Sequence, residues 1–252
     1  MSQTIVVTGG GSGIGRAIAE ELDAQGYHLI LMGRTKDSLE QTQTSLKHPD
    51  NHQIFPVDIR KPDDLWKALQ ASAVETLHAV VVNAGVGGEN HYGDDDRWQE
   101  IVDTNLTGSY HTIRQCLPYL KQPTEGFRHI VILSSILARL GVPGYSAYCA
   151  SKAGLLGLMR SLANELTEDK ILVNALCPGW VDTAMARQGL QGFAEALSVT
   201  EDEAYQKAMS EVPLGKMSTP QEIAGFVQYL VSNAQTSITG QTLDINNGAL
   251  MP

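Results

Sequence analysis

Short apolar runs alternate with longer amphipathic stretches along the whole chain. Seven runs predict β-strands, at residues 5–7, 29–32, 53–57, 77–82, 130–133, 171–176 and 242–245. Helical patterns lie between them, at residues 14–22, 36–46, from about 62, 95–121, around 148–162, 201–210 and 220–230. Continuous apolar strands flanked by helices are typical of a parallel sheet covered on both faces. We therefore predict an α/β fold with a doubly wound seven-stranded sheet in one domain, residues 1–252.

Two stretches depart from the regular pattern. The helical pattern at 95–121 contains Asn105 and Gly108, which are poor helix formers, so we expect a local irregularity that turns Asn105 inward. Residues 184–215 are mixed and polar, with a helical piece only at 201–210. A loop region this long inside a compact chain is often a lid, so we predict a substrate lid at about 184–215.

Composition excludes several classes of protein. The 252 residues are 42% hydrophobic and 18% charged, as in ordinary globular proteins, and carry a formal net charge of −10. That charge argues against a nucleic-acid partner and gives no reason to expect a membrane partner. No apolar stretch approaches the roughly 20 residues that span a bilayer, so we expect a cytoplasmic protein. The three cysteines and seven histidines show no disulfide or metal-ligand spacing, so we predict no metal.

A glycine-rich turn follows the first strand directly. It reads Thr8-Gly9-Gly10-Gly11-Ser12-Gly13-Ile14-Gly15, and a helical pattern begins within it. A strand, a glycine turn and a helix N-terminus direct backbone N–H groups at an anion, and glycine lets a pyrophosphate approach closely. The spacing differs from the common G-x-G-x-x-G. We predict that this turn binds a dinucleotide.

The second strand end predicts which dinucleotide is bound. An acidic residue there would bind the ribose hydroxyls of NAD, whereas arginine suits the 2′-phosphate of NADP. Gly33 occupies the position of the acid and Arg34 follows it, so we expect NADP(H), with NAD(H) as the alternative. Asp58 follows the third strand, where it could accept from the adenine amino group or cap the next helix.

Tyr148 and Lys152 are four residues apart in a predicted helix, so their side chains share a face. A nearby ammonium favours the ionised form of a phenol, which would lower the pKa of Tyr148 and suit it to acid–base catalysis near neutral pH. Ser135 ends the fifth strand, on the same edge of the sheet as the residues that follow the other strands.

Further motifs follow in a consistent order. They are Thr8-Gly9, Gly13-Ile14-Gly15, Asn83-Ala84-Gly85, Asn105, Ser135, Tyr148 with Lys152, and Pro178-Gly179 with Thr183. With these residues the sequence resembles the short-chain dehydrogenases/reductases over nearly its whole length. The resemblance implies a Rossmann-type fold and an NADP-dependent enzyme acting on a carbonyl or alcohol. Val82 stands where the family usually has asparagine, which puts a sheet-bracing hydrogen bond in doubt.

The resemblance also implies residue roles. Tyr148 would be the proton donor, Ser135 would hydrogen-bond the substrate oxygen, Lys152 would lower the pKa of Tyr148 and hold the nicotinamide ribose, and Asn105 would position a relay water. Val181 and Thr183 would hold the carboxamide. The residues expected at the cofactor are Gly9, Gly11, Ser12, Gly13, Ile14, Arg34, Thr35, Asp58, Ile59, Asn83, Ala84, Gly85, Tyr148, Lys152, Pro178, Gly179, Val181 and Thr183. By family analogy we also expect a homo-oligomer, a tetramer or a dimer.

Three functions remain open at this point. The first is an NADPH-dependent reductase of a β-keto thioester or similar ketone, because residues 180–185 and 198–215 look most like ketoreductases that act on such substrates. The second is a dehydrogenase of a cyclic, sugar-like or small secondary alcohol. The third is a cofactor-sensing regulator without catalysis, against which the complete set Asn105, Ser135, Tyr148 and Lys152 argues. Leu137, Trp180 and Met185 are candidates for the substrate cavity, with ordinary packing as the alternative.

Overall fold

A single parallel sheet of seven strands forms the centre of the fold. The computed structural model describes residues 3–122 and 125–251; residues 1, 2, 123, 124 and 252, which the one-domain prediction also covers, lie outside the described residues. The strands are β1 (Thr4–Thr8), β2 (His28–Gly33), β3 (Gln53–Pro56), β4 (Ala79–Val82), β5 (Arg128–Leu133), β6 (Ile171–Pro178) and β7 (Thr242–Ile245). They run in the order β3-β2-β1-β4-β5-β6-β7, and every neighbouring pair is parallel. The predicted doubly wound seven-stranded sheet is confirmed.

Helices connect the strands and cover both faces of the sheet. They are α1 (Gly13–Ala24), α2 (Lys36–Ser45), α3 (Pro62–Ala71), α4 (Trp98–Val102), α5 (Gly108–Leu120), α6 (Ser146–Glu165), α7 (Ala184–Leu197), α8 (Glu201–Ser210) and α9 (Pro220–Val231). In residues 3–122 and 125–251, no helix combines the length and apolar character needed to cross a membrane.

Alternate residues of each strand enter two separate hydrophobic cores. Val80 and Val82 pack with α3, α5 and α6 on one face, whereas Ala79 and Val81 pack with α1 and α9 on the other. This period of two is the reason why the strands are apolar throughout, since both faces are covered. Val82, where the family usually has asparagine, is 1% exposed in the first core. Asn83 instead ties β4 to β1, because its Nδ2 donates to the Thr8 carbonyl at 3.0 Å.

The predicted irregularity around Asn105 is confirmed. A π-helical turn, Asp103–Thr107, interrupts the helical stretch between α4 and α5. Such turns widen the backbone by one residue and recur at functional sites. The helix begins at Trp98 rather than at residue 95; its N-cap is Arg97, and the Asp96 carboxylate accepts a hydrogen bond from the Trp98 backbone N–H at 2.9 Å.

The prediction of one long loop region over residues 184–215, helical only at 201–210, is wrong in its first part, because residues 184–197 form α7. α7 begins at the cap Thr183, whose Oγ1 accepts from the Ala186 N–H, and ends at Ser198 in the left-handed conformation. Its glycines suggested a loop, but burial of Leu190 against Met209 of α8 outweighs their low helix propensity. α7 and α8 thus form a helical hairpin around a third, smaller apolar cluster; its members are Leu190, Ala208, Met209 and Val212, with Trp180, Phe193, Tyr205, Met217 and Ala249 packed against them.

Candidate active site

The predicted site residues follow the carboxyl ends of the strands, on one edge of the sheet. Chain order reverses between β1 and β4, which are neighbours in the sheet. Open α/β sheets bind ligands at such a switch point, outside the strand ends. The loops after β1 and β4 are in direct contact there, and the loops after β2, β3, β5 and β6 flank them on the two sides.

The turn after β1 fits a dinucleotide because two of its glycines cannot be replaced easily. Gly9 has a φ of 69°, and a Cβ there would lie 2.8 Å from Asn83 Nδ2. Gly13 has a φ of 50°, and its Cβ would lie 3.3 Å from Thr183 Cγ2. Both positions therefore need the conformational freedom of glycine. Ser12, the N-cap of α1, makes no side-chain capping bond, so the helix N-terminus faces the rim with backbone donors.

A groove runs from this turn across the ends of β2 and β3. Half of the predicted cofactor residues line it, namely Gly9, Gly11, Ser12, Arg34, Thr35, Asp58, Ile59, Ala84 and Gly85. Its other lining residues were not among the predicted cofactor residues; they are Gly33, Ser38, Val57, Arg60, Val86 and Thr104. Thr104 is 7% exposed, and its buried Oγ1 has no hydrogen-bond partner among the described residues. A buried hydroxyl of this kind suits a bound polar group, and the groove fits the adenosine part of a dinucleotide.

Arg60 is the main residue of the groove that sequence reasoning missed. Its guanidinium donates to both carboxylate oxygens of Asp58, with Nη2 2.6 Å from Oδ2. This hydrogen bonding lowers the pKa of Asp58. The alternative role of Asp58 as a helix cap is wrong, because the N-cap of α3 is Lys61. An arginine two residues after a strand-end aspartate was the available signal.

Tyr148, Ser135 and Lys152 lie together at the ends of β5 and α6. Tyr148 is in the first turn of α6, and its hydroxyl lies near the Ser135 side chain, which lowers the pKa of the phenol. Ser135 Oγ also accepts from the Leu137 N–H at 3.1 Å, which fixes its rotamer. Lys152 is 6% exposed, and its Nζ donates to the Leu133 carbonyl at 2.9 Å. The expected shared face of Tyr148 and Lys152 is confirmed.

The expected lowering of the pKa of Tyr148 is wrong in this structure. Burial raises the pKa of the Tyr148 hydroxyl to about 12, and the neighbouring Ser135 side chain only partly offsets this. Burial also lowers the pKa of Lys152 to about 8. Lys152 Nζ lies 5.6 Å from the centroid of the Tyr148 ring, and its proton is directed at Leu133. Desolvation of the buried phenolate therefore sets the direction of the shift.

Asn105 is held in the π-helical turn with its side chain fully buried. Its Oδ1 accepts from the Val86 N–H at 2.8 Å, and its Nδ2 donates to the Val86 carbonyl at 3.0 Å and to Ser151 Oγ at 3.2 Å. A Cβ on Gly85 would lie 3.0 Å from Asn105 Oδ1 and 3.6 Å from Lys152 Nζ, so both groups converge on Gly85. The relay water stays a prediction.

The remaining predicted cofactor residues lie outside the groove. Ile14 packs on the second core, and Asn83 braces β1 against β4. Gly179, after Pro178 at the end of β6, donates from its N–H to the Ile245 carbonyl at 2.9 Å. Thr183 caps α7, and its hydroxyl donates to the carbonyl of the buried Val181 at 3.2 Å. Thr183 still borders the glycine turn, through Gly13.

Two of the three cavity candidates have defined contacts. Trp180 packs on the third apolar cluster, as the packing alternative proposed. Met185 is 45% exposed, and its Sδ lies against Gly87, where an added Cβ would be 3.0 Å from it. Leu137 is half-buried beside Ser135.

Among the described residues, no group of three His, Cys, Asp or Glu side chains is arranged to hold a metal ion.

Comparison with known proteins defines the class. A family model described as enoyl-(acyl carrier protein) reductase matches residues 9–249. The chain belongs to the short-chain dehydrogenase/reductase family of oxidoreductases.

Individual relatives cover almost the whole chain. It is 35% identical to the monensin polyketide synthase putative ketoacyl reductase of Streptomyces virginiae, over 98% of this chain and 97% of that protein. It is 32% identical to the 3-oxoacyl-[acyl-carrier-protein] reductase FabG of Rickettsia bellii, over 99% of this chain and 97% of that protein. A crystal structure of an actinorhodin polyketide ketoreductase variant with NADPH superposes with a TM-score of 0.92 at 31% identity, covering 98% and 97% of the two chains.

Proposed function

We propose that this protein reduces a ketone to a secondary alcohol, with NADPH as the hydride donor and Tyr148 as the proton donor. The observation that carries the proposal is the phenol of Tyr148, which lies near Ser135, next to Lys152, and close to the switch point of the sheet. Because its pKa is about 12, this phenol is protonated at neutral pH. A protonated donor suits reduction of a carbonyl better than oxidation of an alcohol.

The residues divide the work of the reaction. The bound dinucleotide would supply hydride to the carbonyl carbon. Tyr148 gives its proton to the substrate oxygen, and Ser135 donates a hydrogen bond to the same oxygen as negative charge develops there. Lys152 holds the nicotinamide ribose, and Asn105 positions a water through which Tyr148 regains its proton. The glycine turn holds the pyrophosphate, and Arg34 binds the 2′-phosphate.

The substrate we propose is a β-keto thioester or a similar ketone. Two relatives that cover the whole chain are named ketoacyl and 3-oxoacyl reductases, and a solved neighbour is a polyketide ketoreductase with NADPH. The α7–α8 hairpin is the proposed lid over this substrate, because Met185 of α7 reaches Gly87 in the loop after β4. Oligomeric assembly and cytoplasmic location stay predictions.

Oxidation of NADPH or NADH by acetoacetyl-CoA and a panel of simple ketones tests the proposal. We expect turnover with NADPH and much slower turnover with NADH. Reduction of NAD⁺ by cyclic or sugar-like alcohols, without any ketone reduction, would favour the dehydrogenase instead. Cofactor binding without turnover on any substrate would indicate a sensor.

The variant Tyr148→Phe tests the proton donor. Removal of the hydroxyl should lower kcat by about 10²- to 10⁴-fold, because a positioned general acid contributes on that order. Binding of NADPH should change little. Tyr119→Phe is the matched control, since the Tyr119 hydroxyl accepts a hydrogen bond from Gln70 on the surface, away from the site. Turnover by Tyr148→Phe close to that of the control would exclude the assigned role.

A further inference from the structure

The N-terminus of α6 is capped by a residue from a distant segment. Tyr145, the N-cap residue of α6, makes no side-chain capping bond. Asn90, in the loop after β4, supplies it: Asn90 Oδ1 accepts from the Ala147 N–H at 2.9 Å and from Ser146 Oγ at 3.2 Å. Asn90 is 5% exposed, although the loop around it is exposed. Its burial on these donors satisfies groups that a helix N-terminus leaves without intrahelical partners.

The same asparagine is bound to the start of α4. Asn90 Nδ2 donates to Asp96 Oδ1 at 3.3 Å, and this oxygen also accepts from the Trp98 N–H at 2.9 Å. The backbone N–H of Asn90 donates to the Gly144 carbonyl at 2.8 Å, just before α6. Asn90 therefore joins the first turns of two helices that are about 50 residues apart in the chain.

Both of these helices lead into the active site. α4 continues into the π-helical turn that holds Asn105, and α6 carries Tyr148 one residue after Ala147. First turns fray readily unless they are capped, and Tyr148 lies in such a turn. A displacement of about 1 Å in a reacting group can cost roughly a hundredfold in rate.

We propose that Asn90 is a positioning residue for ketone reduction, which it serves by holding the first turn of α6, with Tyr148, in register with α4 and Asn105. The inference rests on the proposed function for its effect on turnover. The cap itself is independent of that function and is tested separately.

Four proteins make the test, each measured for kcat, NADPH affinity and Tm. Asn90→Leu keeps the side-chain size and removes the hydrogen bonds. Asn90→Asp/Asp96→Asn exchanges donor and acceptor, so that the bond between the two side chains can form again and position 90 keeps an acceptor for Ala147 and Ser146. Asn174→Leu is the matched control, because Asn174 is 2% exposed and also makes two backbone bonds, to Ile238 and Gln241. Wild type is the reference.

We expect Asn90→Leu to lower kcat per folded enzyme by about tenfold or more, with NADPH affinity unchanged. The exchanged pair should recover kcat to within about threefold of wild type, by restoring the bonds. Asn174→Leu should lower Tm but leave kcat per folded enzyme unchanged. Equal kcat in Asn90→Leu and wild type, or no recovery in the exchanged pair, would overturn the positioning role.

Amide hydrogen exchange separates this inference from the proposed function. In Asn90→Leu the Ala147 and Tyr148 amides should exchange at least about tenfold faster than in wild type or Asn174→Leu, because the cap is lost. Unchanged exchange in 145–150 would overturn the inference whether or not the wild type reduces ketones. A wild type without ketone reductase activity would refute the proposed function and with it the effect of Asn90 on turnover.

Discussion

At the scale of single residues, the pKa values of the two ionisable groups of the site are shifted in opposite directions, and each shift favours the neutral form of its group. Tyr148 is protonated at neutral pH, and Lys152 titrates near pH 8. Both shifts come from burial, which disfavours the charged form of each group. The pH dependence of reduction should therefore report Lys152 rather than Tyr148.

We predict that kcat for ketone reduction falls as pH rises through about 8, the pKa of Lys152. Below that pH the ammonium is charged and holds both the Leu133 carbonyl and, as proposed, the nicotinamide ribose. Above it the charge is lost while Tyr148 remains protonated. Steady-state kcat at saturating NADPH between pH 6 and 10, in buffers of constant ionic strength, measures the descending limb. A flat profile up to pH 10 would contradict the lowered pKa of Lys152.

Arg34 and Arg60 line one groove but are in different electrostatic situations. Arg60 is paired with the Asp58 carboxylate, whereas Arg34 is exposed at the end of β2. We predict that Arg34→Ala raises the KM for NADPH by about 10- to 100-fold, the usual range for a charge-assisted hydrogen bond, and leaves the KM for NADH nearly unchanged.

Arg60→Ala should raise the KM for NADPH less than Arg34→Ala does. Arg60 is paired with Asp58, so its loss acts on the phosphate only through the Asp58 carboxylate that is left without its partner. Lys67→Ala, on the exposed side of α3, is the control for a general change of charge. The measurement is the ratio of the KM for NADPH to the KM for NADH in each variant. If Arg34→Ala keeps the wild-type ratio, the phosphate is bound elsewhere.

At the scale of elements, the π-helical turn links the loop after β4 to α6. Asn105 alone makes three hydrogen bonds from one buried amide, two to Val86 and one to Ser151. The regular helix geometry is interrupted at this turn, and the turn is thereby held in contact with the loop after β4 and with α6.

We predict that Asn105→Ala lowers the free energy of unfolding by about 1–3 kcal/mol, because buried partners are left without hydrogen bonds. Turnover should fall as well, since the loop before Gly87 loses its anchor. Urea unfolding measures the first effect. Thr107→Ala, in the same turn, is the control, and equal stability of the two variants would show that the Asn105 bonds contribute nothing net.

Sequence patterns predicted those elements that depend on local signals. Apolar runs such as that ending at Val82 predicted strands, and Asn105 with Gly108 predicted the irregular turn. α7 could not be predicted because its stability comes from packing against α8, which is not visible in its own residues. Likewise Asn90 looked like a loop residue, since its partners Ala147 and Asp96 are brought near only by the fold.

The site was predicted in the same uneven manner. Residues after strand ends, such as Ser135 and Asp58, reach the predicted rim because parallel strands place their carboxyl ends together. The pKa of Tyr148 was predicted in the wrong direction, because helical spacing gives the distance to Lys152 but not the desolvation of the hydroxyl.

At the scale of the whole molecule, a buried histidine pair lies where β4 and β5 begin, at the opposite ends of the strands from the candidate site. His129 and His78 pack edge to face with ring centroids 5.1 Å apart, and both buried ring nitrogens of His129 are without a hydrogen-bond partner in the part of the chain that the structure describes. Burial lowers the pKa of His129 to about 3, with the charge of Arg128 acting in the same direction.

We predict that the protein loses stability as pH falls below about 6.5, the pKa of an unfolded histidine. The unfolded chain takes up a proton there, whereas folded His129 does not until about pH 3, so its contribution is complete above 6.5 and declines below it. The loss from His129 between pH 6.5 and 5 is about 2 kcal/mol.

Urea unfolding of wild type and His129→Phe at pH 7 and pH 5 measures this loss. The variant should be less sensitive to pH, and His91→Gln, at an exposed histidine, should behave as wild type. Parallel pH dependence in all three proteins would exclude His129 as the source.

The third apolar cluster has a consequence for how this enzyme can change. α7 and α8 bury Leu190 and Met209 against each other instead of in the two cores beside the sheet. Substitutions in the hairpin can therefore accumulate while the strands keep their packing, as long as Trp180, Met217 and Ala249, which also border the cluster, still fit against it. In its proposed role as a substrate lid, the hairpin would then be the segment in which substrate preference changes.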